Sequence, residues 1–213
     1  MIYIFDEIDK MSDDKLAEWK KYLSSQRAEK TYRYIKTIDQ KTSMLVYLLL
    51  RYALYKEYGY KEAPEFAYDV GKKPYIENSD INFNLSHSHC GVICGVSNGK
   101  IGVDIQDRVK EFSGIAESVL TEAEQQFVGG SSARFTDIWT LKEAYGKYTC
   151  EGITYDMKNT AFNNIEYGWN KYMGLDFYNE NRDSYSFSVC CEVPDTIVDV
   201  SLRDIAEFLN NIK

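Results

Sequence analysis

Two carboxylates and a lysine in this chain could carry chemistry, each a weak signal when taken alone. Asp104 sits at the end of the strand-like run Gly102-Val103-Asp104-Ile105-Gln106. Gln106, two residues on, shares its face if the strand continues. Two oxygen-bearing side chains on one face can share a cation. Mg2+ suits such ligands, usually taking one or two carboxylates, waters and substrate phosphates. The competing reading is an aspartate satisfied by backbone donors at a strand end, and Asp-x-Gln alone favours that one. Asp107 points to the opposite face. Glu143 and Lys147 belong to Trp139-Thr140-Leu141-Lys142-Glu143-Ala144-Tyr145-Gly146-Lys147. A helix puts positions four apart on one face, here together with Trp139. The pair is either a surface ion pair of small energetic value, or a metal-binding carboxylate beside an ammonium that reaches a phosphate.

His87 lies in Phe83-Asn84-Leu85-Ser86-His87-Ser88. A lone histidine at a strand end is usually structural. Its imidazole can also donate to a phosphate, more strongly when protonated, and Ser86 adds a hydroxyl donor. His89 is read as a bystander. Gly71-Lys72-Lys73-Pro74 reads first as an exposed turn. Arg27, Lys30, Arg33, Lys36 and Lys41 form a basic cluster, which on its own is a solvated helix face.

The elements that must position these residues follow from pattern. Ser12 caps a helix whose first turn holds Asp13 and Asp14. A second helix spans about residues 39–58, with Leu45, Leu48, Leu49 and Tyr52 as its apolar stripe, and stops at Gly59. Residues 81–86 alternate as a half-buried strand does. Short apolar runs at 92–96 and 101–105 flank Ser97-Asn98-Gly99-Lys100, which predicts a hairpin centred on Asn98-Gly99. Thr121-Glu122-Ala123-Glu124 is a capping box. Residues 136–149 read as a helix, 172–178 and 185–192 as a second antiparallel pair, and 201–210 as a closing helix started by Ser201 and Asp204. The expected class is α+β, in two halves of similar size, 1–105 and 106–213.

The chain has 213 residues, 44% hydrophobic and 27% charged, as an ordinary globular protein does. A net charge of -8 argues against nucleic acid as a partner. Five cysteines lack the spacing of a zinc site, and reduced thiols in the cytoplasm fit best. The N-terminus has no basic region before its apolar residues, so it is not a signal peptide. The longest apolar run, residues 44–50, is too short to span a bilayer.

The Asn84–Ser88 and Gly102–Gln106 pieces, the Trp139–Lys147 piece and the Gly71–Pro74 turn, in this order, resemble the 4'-phosphopantetheinyl transferases of the surfactin-synthetase-activating type. The resemblance is dense from 71 to 152. It implies two related α+β subdomains about a pseudo-twofold axis, with coenzyme A in the cleft between them. It implies transfer of the phosphopantetheine arm of coenzyme A to a serine of an apo carrier protein (acyl, peptidyl or aryl), with Mg2+ and release of adenosine 3',5'-bisphosphate. Metal ligands are then Asp104, Glu143 and Gln106. Catalytic residues are Glu143, Lys147 and His87. Coenzyme A contacts are Arg27, Lys30, Lys73, Pro74, Ser86, His87 and Lys147, with Arg27 and Lys30 on the 3'-phosphate. Arginine serves phosphate through its planar fork, lysine as a point charge. Lys72 is an insertion or a shift by one. Gln106 stands where the family usually has an acid, so weaker Mg2+ binding, or a changed preference between Mg2+ and Mn2+, is expected. Two fused halves make a monomer sufficient. The alternatives are a non-catalytic coenzyme A or carrier-binding relative, and a Mg2+-dependent nucleotide diphosphatase.

Overall fold

The structure, a computed structural model, describes residues 1–68, 73–152 and 160–212; Gly71 and Lys72 of the turn above lie outside them. The fold is α+β. It divides into one unit of Met1–Asn98 with Asp195–Lys213, and another of Gly99–Pro194.

In the first unit a four-stranded sheet has the order β10 (Ile197–Asp199), β1 (Ile2–Phe5), β5 (Val92–Ser97), β4 (Asn82–His87). The long helix α3 (Thr37–Tyr58) follows the shorter helices α1 (Asp13–Trp19) and α2 (Ser25–Tyr32). Ser12 caps α1 by accepting from the Lys15 amide, and Gly59 ends α3 in the left-handed conformation, as the sequence predicts. The α3 run from Met44 to Leu50 is wholly buried and packs with Tyr3, Phe5, Phe83, Cys94 and Val96 in one core. A small ladder joins β2 (Ala67–Tyr68) to β3 (Pro74–Tyr75).

The second unit repeats this plan of strand, short helix, long helix and antiparallel hairpin. Its sheet runs β6 (Ile101–Asp107), β9 (Tyr185–Cys191), β8 (Leu175–Asn181), β7 (Gly168–Tyr172). Helices α4 (Ser113–Val119) and α5 (Glu122–Val128) precede the long α6 (Ser132–Thr149). Phe135, Ile138, Leu141 and Ala144 of α6 pack with Phe162, Phe177 and Cys190. In both units a side chain early in the short helix accepts from a later phenylalanine amide: Gln26 from Phe66 at 3.1 Å, Glu124 from Phe162 at 2.9 Å. The capping boxes at Thr121/Glu124 and Ser201/Asp204 are both formed.

Two expectations are corrected. Residues 92–96 and 101–105 do not form a hairpin. β5 pairs antiparallel with β1 and β4, and β6 pairs with β9. The Asn98-Gly99 turn signal is local, and apolar strands distant in sequence offer each run its partners. The division at residue 105 is likewise displaced. The first break falls after Asn98, and the C-terminal segment returns to the first unit. There β10 adds parallel to β1, with Ile2 opposite Ile197. The apolar stripe of α7 (Leu202–Asn211), namely Leu202, Ile205, Phe208 and Leu209, is buried in that unit's core. No helix among the described residues is long and apolar enough to cross a membrane.

Candidate active site

The acidic group is built by the close approach of α6 to β6. Gly102 permits it. A Cβ at Gly102 would lie 2.0 Å from the Ala144 carbonyl oxygen and 2.6 Å from the Tyr148 nitrogen, so only glycine fits beneath this turn of α6. Strand alternation puts Asp104 and Gln106 on Gly102's face, under the turns that carry Glu143 and Lys147. Asp104 is buried. The Lys147 Nζ lies 2.7 Å from its Oδ1 and also donates to the Val103 carbonyl at 3.1 Å. Lys147 thus straps α6 to β6. Its expected i,i+4 partner, Glu143, is left without a hydrogen bond among the described residues. Burial pushes the Glu143 carboxyl above its ordinary range; the Asp104 charge pushes the same way and Lys147 opposes both.

Among the described residues no three His, Cys, Asp or Glu side chains gather as metal ligands. The carboxylates that could hold a cation in this group are Asp104 and Glu143, with the half-buried Gln106 on the same strand face as Asp104. Two hard oxygen donors that repel one another fit Mg2+. Their charge is already offset in part by Lys147.

Adjacent residues of the Trp139–Lys147 piece part company here, because successive helix positions are about 100° apart. Lys142 turns inward. It is almost fully buried, pairs with the buried Glu124 at 3.0 Å and donates to the Thr160 carbonyl at 2.7 Å. Burial lowers the Lys142 pKa and Glu124 resists that. Glu124 also accepts from the Thr121 amide at 2.8 Å. Sequence reasoning had Glu124 as a cap and Lys142 as part of a motif, but missed that the two form one buried pair. A cleft of about 540 Å³ lined by Phe127, Arg134, Asp137, Leu141 and Tyr167 contains none of the predicted site residues.

In the first unit the predicted phosphate ligands differ in what they present. Arg27 is buried, and its Nε and Nη2 both donate to the Ser43 carbonyl, Nε at 3.0 Å. Two nitrogens of its fork therefore face α3. Desolvation lowers its pKa, and Tyr34, Tyr68 and Tyr47 surround it. No carboxylate among the described residues pairs with it. Lys30, one turn on, is exposed; partial burial of its ammonium and the Arg27 charge lower its pKa. Ser86 and His87 are consecutive on β4, so they face opposite sides: Ser86 is buried and His87 exposed. His89 bonds Asp39 Oδ1 at 3.1 Å. Pro74 opens β3 opposite Tyr68, directly after Lys73.

A family model described as the 4'-phosphopantetheinyl transferase superfamily matches residues 100–190, the stretch from β6 to β9 that holds the acidic group. The 4'-phosphopantetheinyl transferase gsp of Aneurinibacillus migulanus is 28% identical over 196 residues, covering 86% of this chain and 81% of its own. The 4'-phosphopantetheinyl transferase Sfp of Bacillus subtilis (strain 168) is 22% identical over 213 residues, covering 93% of this chain and 95% of its own. Asp104 on β6 and Glu143 and Lys147 on α6 all lie inside the matched stretch, so the likeness of this chain to the 4'-phosphopantetheinyl transferase superfamily covers the acidic group.

Proposed function

We propose that this protein transfers the 4'-phosphopantetheine arm of coenzyme A to a serine of an apo carrier protein, releasing adenosine 3',5'-bisphosphate, with Mg2+ as cofactor. The observation that carries the reading is the pairing of Asp104 and Glu143: two mutually repelling carboxylates beside α6, only one of them neutralised by Lys147.

The serine oxygen attacks the β-phosphate of coenzyme A and the bisphosphate leaves. Such transfer depends on alignment and charge neutralisation more than on covalent help from the protein. Asp104, Glu143 and the Gln106 amide would hold the cation, which when bound would supply positive charge against the pyrophosphate. Lys147 fixes the Asp104 carboxylate and adds a positive charge at the same place. Glu143 would also be the carboxylate placed to take the serine proton. Lys30 and the uncompensated charge of Arg27 favour the donor's 3'-phosphate, with Lys73, Ser86 and His87 as further donors to its phosphates.

Gln106 favours a second reading, a relative that binds coenzyme A without turnover, because a neutral amide leaves the cation site one charge poorer. One experiment separates the readings. The protein is incubated with coenzyme A, Mg2+ and a panel of apo carrier proteins, and the carriers are weighed by intact mass spectrometry. A gain of one phosphopantetheine, absent with Glu143→Ala, supports transfer. Coenzyme A bound without any gain supports the inactive relative. Coenzyme A cleaved without a carrier overturns both in favour of a diphosphatase.

A further inference from the structure

The layer between the first half of α6 and its sheet is polar where a core is normally apolar. Asn179 Nδ2 donates to Ser188 Oγ at 2.8 Å, and Ser188 and Thr140 hydroxyls meet at 2.8 Å. Thr140 Oγ1 donates to the Asp137 carbonyl at 3.0 Å. With the Ser188 hydroxyl donating to Thr140, these contacts form a one-way chain from Asn179 through Ser188 and Thr140 to the α6 backbone, each hydroxyl giving one hydrogen bond and accepting one. Next to it the buried Asp137 carboxylate accepts from Ser186 and Asn181 on Oδ1, the latter at 2.8 Å, and from the Tyr167 hydroxyl on Oδ2 at 3.0 Å. Arg108 Nη1 donates to Ser186 Oγ at 2.9 Å. Ser186 and Ser188 are fully buried and Asn179 almost so.

The register gives this layer its meaning. Ser188 is the cross-strand partner of Asp104, and Ser186 that of Gln106. Thr140 lies one helical turn before Glu143. The Thr140–Ser188 bond therefore ties the turn next to Glu143 to the residue beside Asp104. Apolar contacts are non-directional and let a helix slide along a sheet. Hydrogen bonds with fixed partners do not, and leaving one buried partner unmade is costly. We infer that Thr140 and Ser188 are positioning residues: their buried hydrogen bond sets the register of α6 on β9 and so holds Glu143 and Lys147 over Asp104. This rests on the acidic group being the reacting site proposed above.

The test uses the full chain with Thr140→Val, which keeps shape and removes the hydroxyl, Thr140→Ser, which restores it, and Ser188→Ala as a smaller disturbance from the other side. Ile205→Val, in the α7 core of the first unit, serves as the stability control. Melting temperature, calorimetric binding of coenzyme A with Mg2+, and kcat with KM for coenzyme A and for a carrier are measured on each. Thr140→Val and Ser188→Ala are expected to lower kcat roughly tenfold or more. Binding of coenzyme A with Mg2+ weakens in parallel while KM for the carrier holds. Thr140→Ser returns near to the wild type, and Ile205→Val loses melting temperature but not kcat. Should Thr140→Val not fold, Ser188→Ala decides. The inference is overturned if kcat and coenzyme A binding stay within about twofold of wild type, or if Ile205→Val loses kcat equally. A wild-type protein that transfers nothing would instead overturn the proposed function.

Discussion

Replacing Gly102 by alanine should disable the site without touching any functional group. The Cβ would stand 2.0 Å from the Ala144 carbonyl oxygen and 2.6 Å from the Tyr148 nitrogen, both backbone atoms of a long helix. No rotamer relieves such a clash. Reaching even 3.0 Å from that oxygen requires α6 and β6 to part by about 1 Å, a van der Waals limit set by close packing. Overpacking of this kind costs roughly 1–3 kcal/mol. At about 2–4 °C per kcal/mol for a chain of this length, the melting temperature should fall by roughly 2–12 °C. The functional loss should be larger. The same parting lengthens the 2.7 Å contact of Lys147 with Asp104 and moves Glu143 with it, and a 1 Å misplacement can cost about a hundredfold in rate. Gly114→Ala is the matched control. It too lies in the second unit, in α4, and no atom is within 4 Å of its added Cβ, so it should keep full rate and gain a few tenths of a kcal/mol or more in stability. Both variants would be followed by thermal melting and by carrier mass gain over time. A Gly102→Ala protein with wild-type melting and wild-type rate would show that α6 does not rely on this approach, and the positioning argument would fail.

Other outcomes follow from the same contacts. Glu143→Gln should abolish transfer yet raise the melting temperature of the metal-free protein at neutral pH. The folded carboxyl holds its proton above the ordinary value of about 4.5, so its ionisation subtracts stability as pH rises through that window, and the amide has nothing to ionise; a lowered melting temperature would contradict this. Lys142→Met should cost about 3–5 kcal/mol, because it strands the buried Glu124 charge, and denaturant unfolding of Lys142→Met with Glu124→Gln should recover much of that. Acid should loosen α7 early. Glu7 and Asp204, whose carboxyls are held below their ordinary range by the Leu202 amide and by Ser201, cap its N-terminus. Their contribution is complete above the unfolded carboxyl range and lost as pH falls through the lowered values, so hydrogen exchange in residues 202–211 should rise below about pH 4. Lys30→Ala should weaken coenzyme A binding more than binding of the form lacking the 3'-phosphate, measured by calorimetry; equal losses for both would remove Lys30 from that phosphate.

How much of this the sequence could reveal depended on the range of the interaction involved. Caps and stops rest on neighbours within one turn, and Ser12, Gly59, Thr121 and Ser201 all behave as their local chemistry dictates. The Asn98-Gly99 hairpin failed for the same reason that those succeeded. A turn signal reports only what four residues favour, and it cannot see that Ile2–Phe5 and Tyr185–Cys191 compete for the flanking strands. The return of Asp195–Lys213 to the first unit is likewise non-local, since nothing near Ile197 announces Ile2 as its partner.

The site divides along the same line. Asp104, Glu143 and Lys147 are legible because strand and helix periods place them on defined faces, and one close contact then joins those faces. Direction within the fold is not legible from type. Arg27 has the chemistry of a phosphate ligand, yet two of its nitrogens turn to the Ser43 carbonyl. Lys142 and Glu143 are sequence neighbours whose side chains go to a buried ion pair and to the acidic group respectively. Thr140, Ser186 and Ser188 carry no signal at all, being small hydroxyl residues of a kind found anywhere on a surface. Only burial changes their meaning. A hydroxyl in water exchanges partners freely, whereas one enclosed between a helix and a sheet must keep the partner it has or leave a polar atom unsatisfied. That constraint makes the Thr140–Ser188 contact specific to one register of α6, and it arises only once the chain has folded.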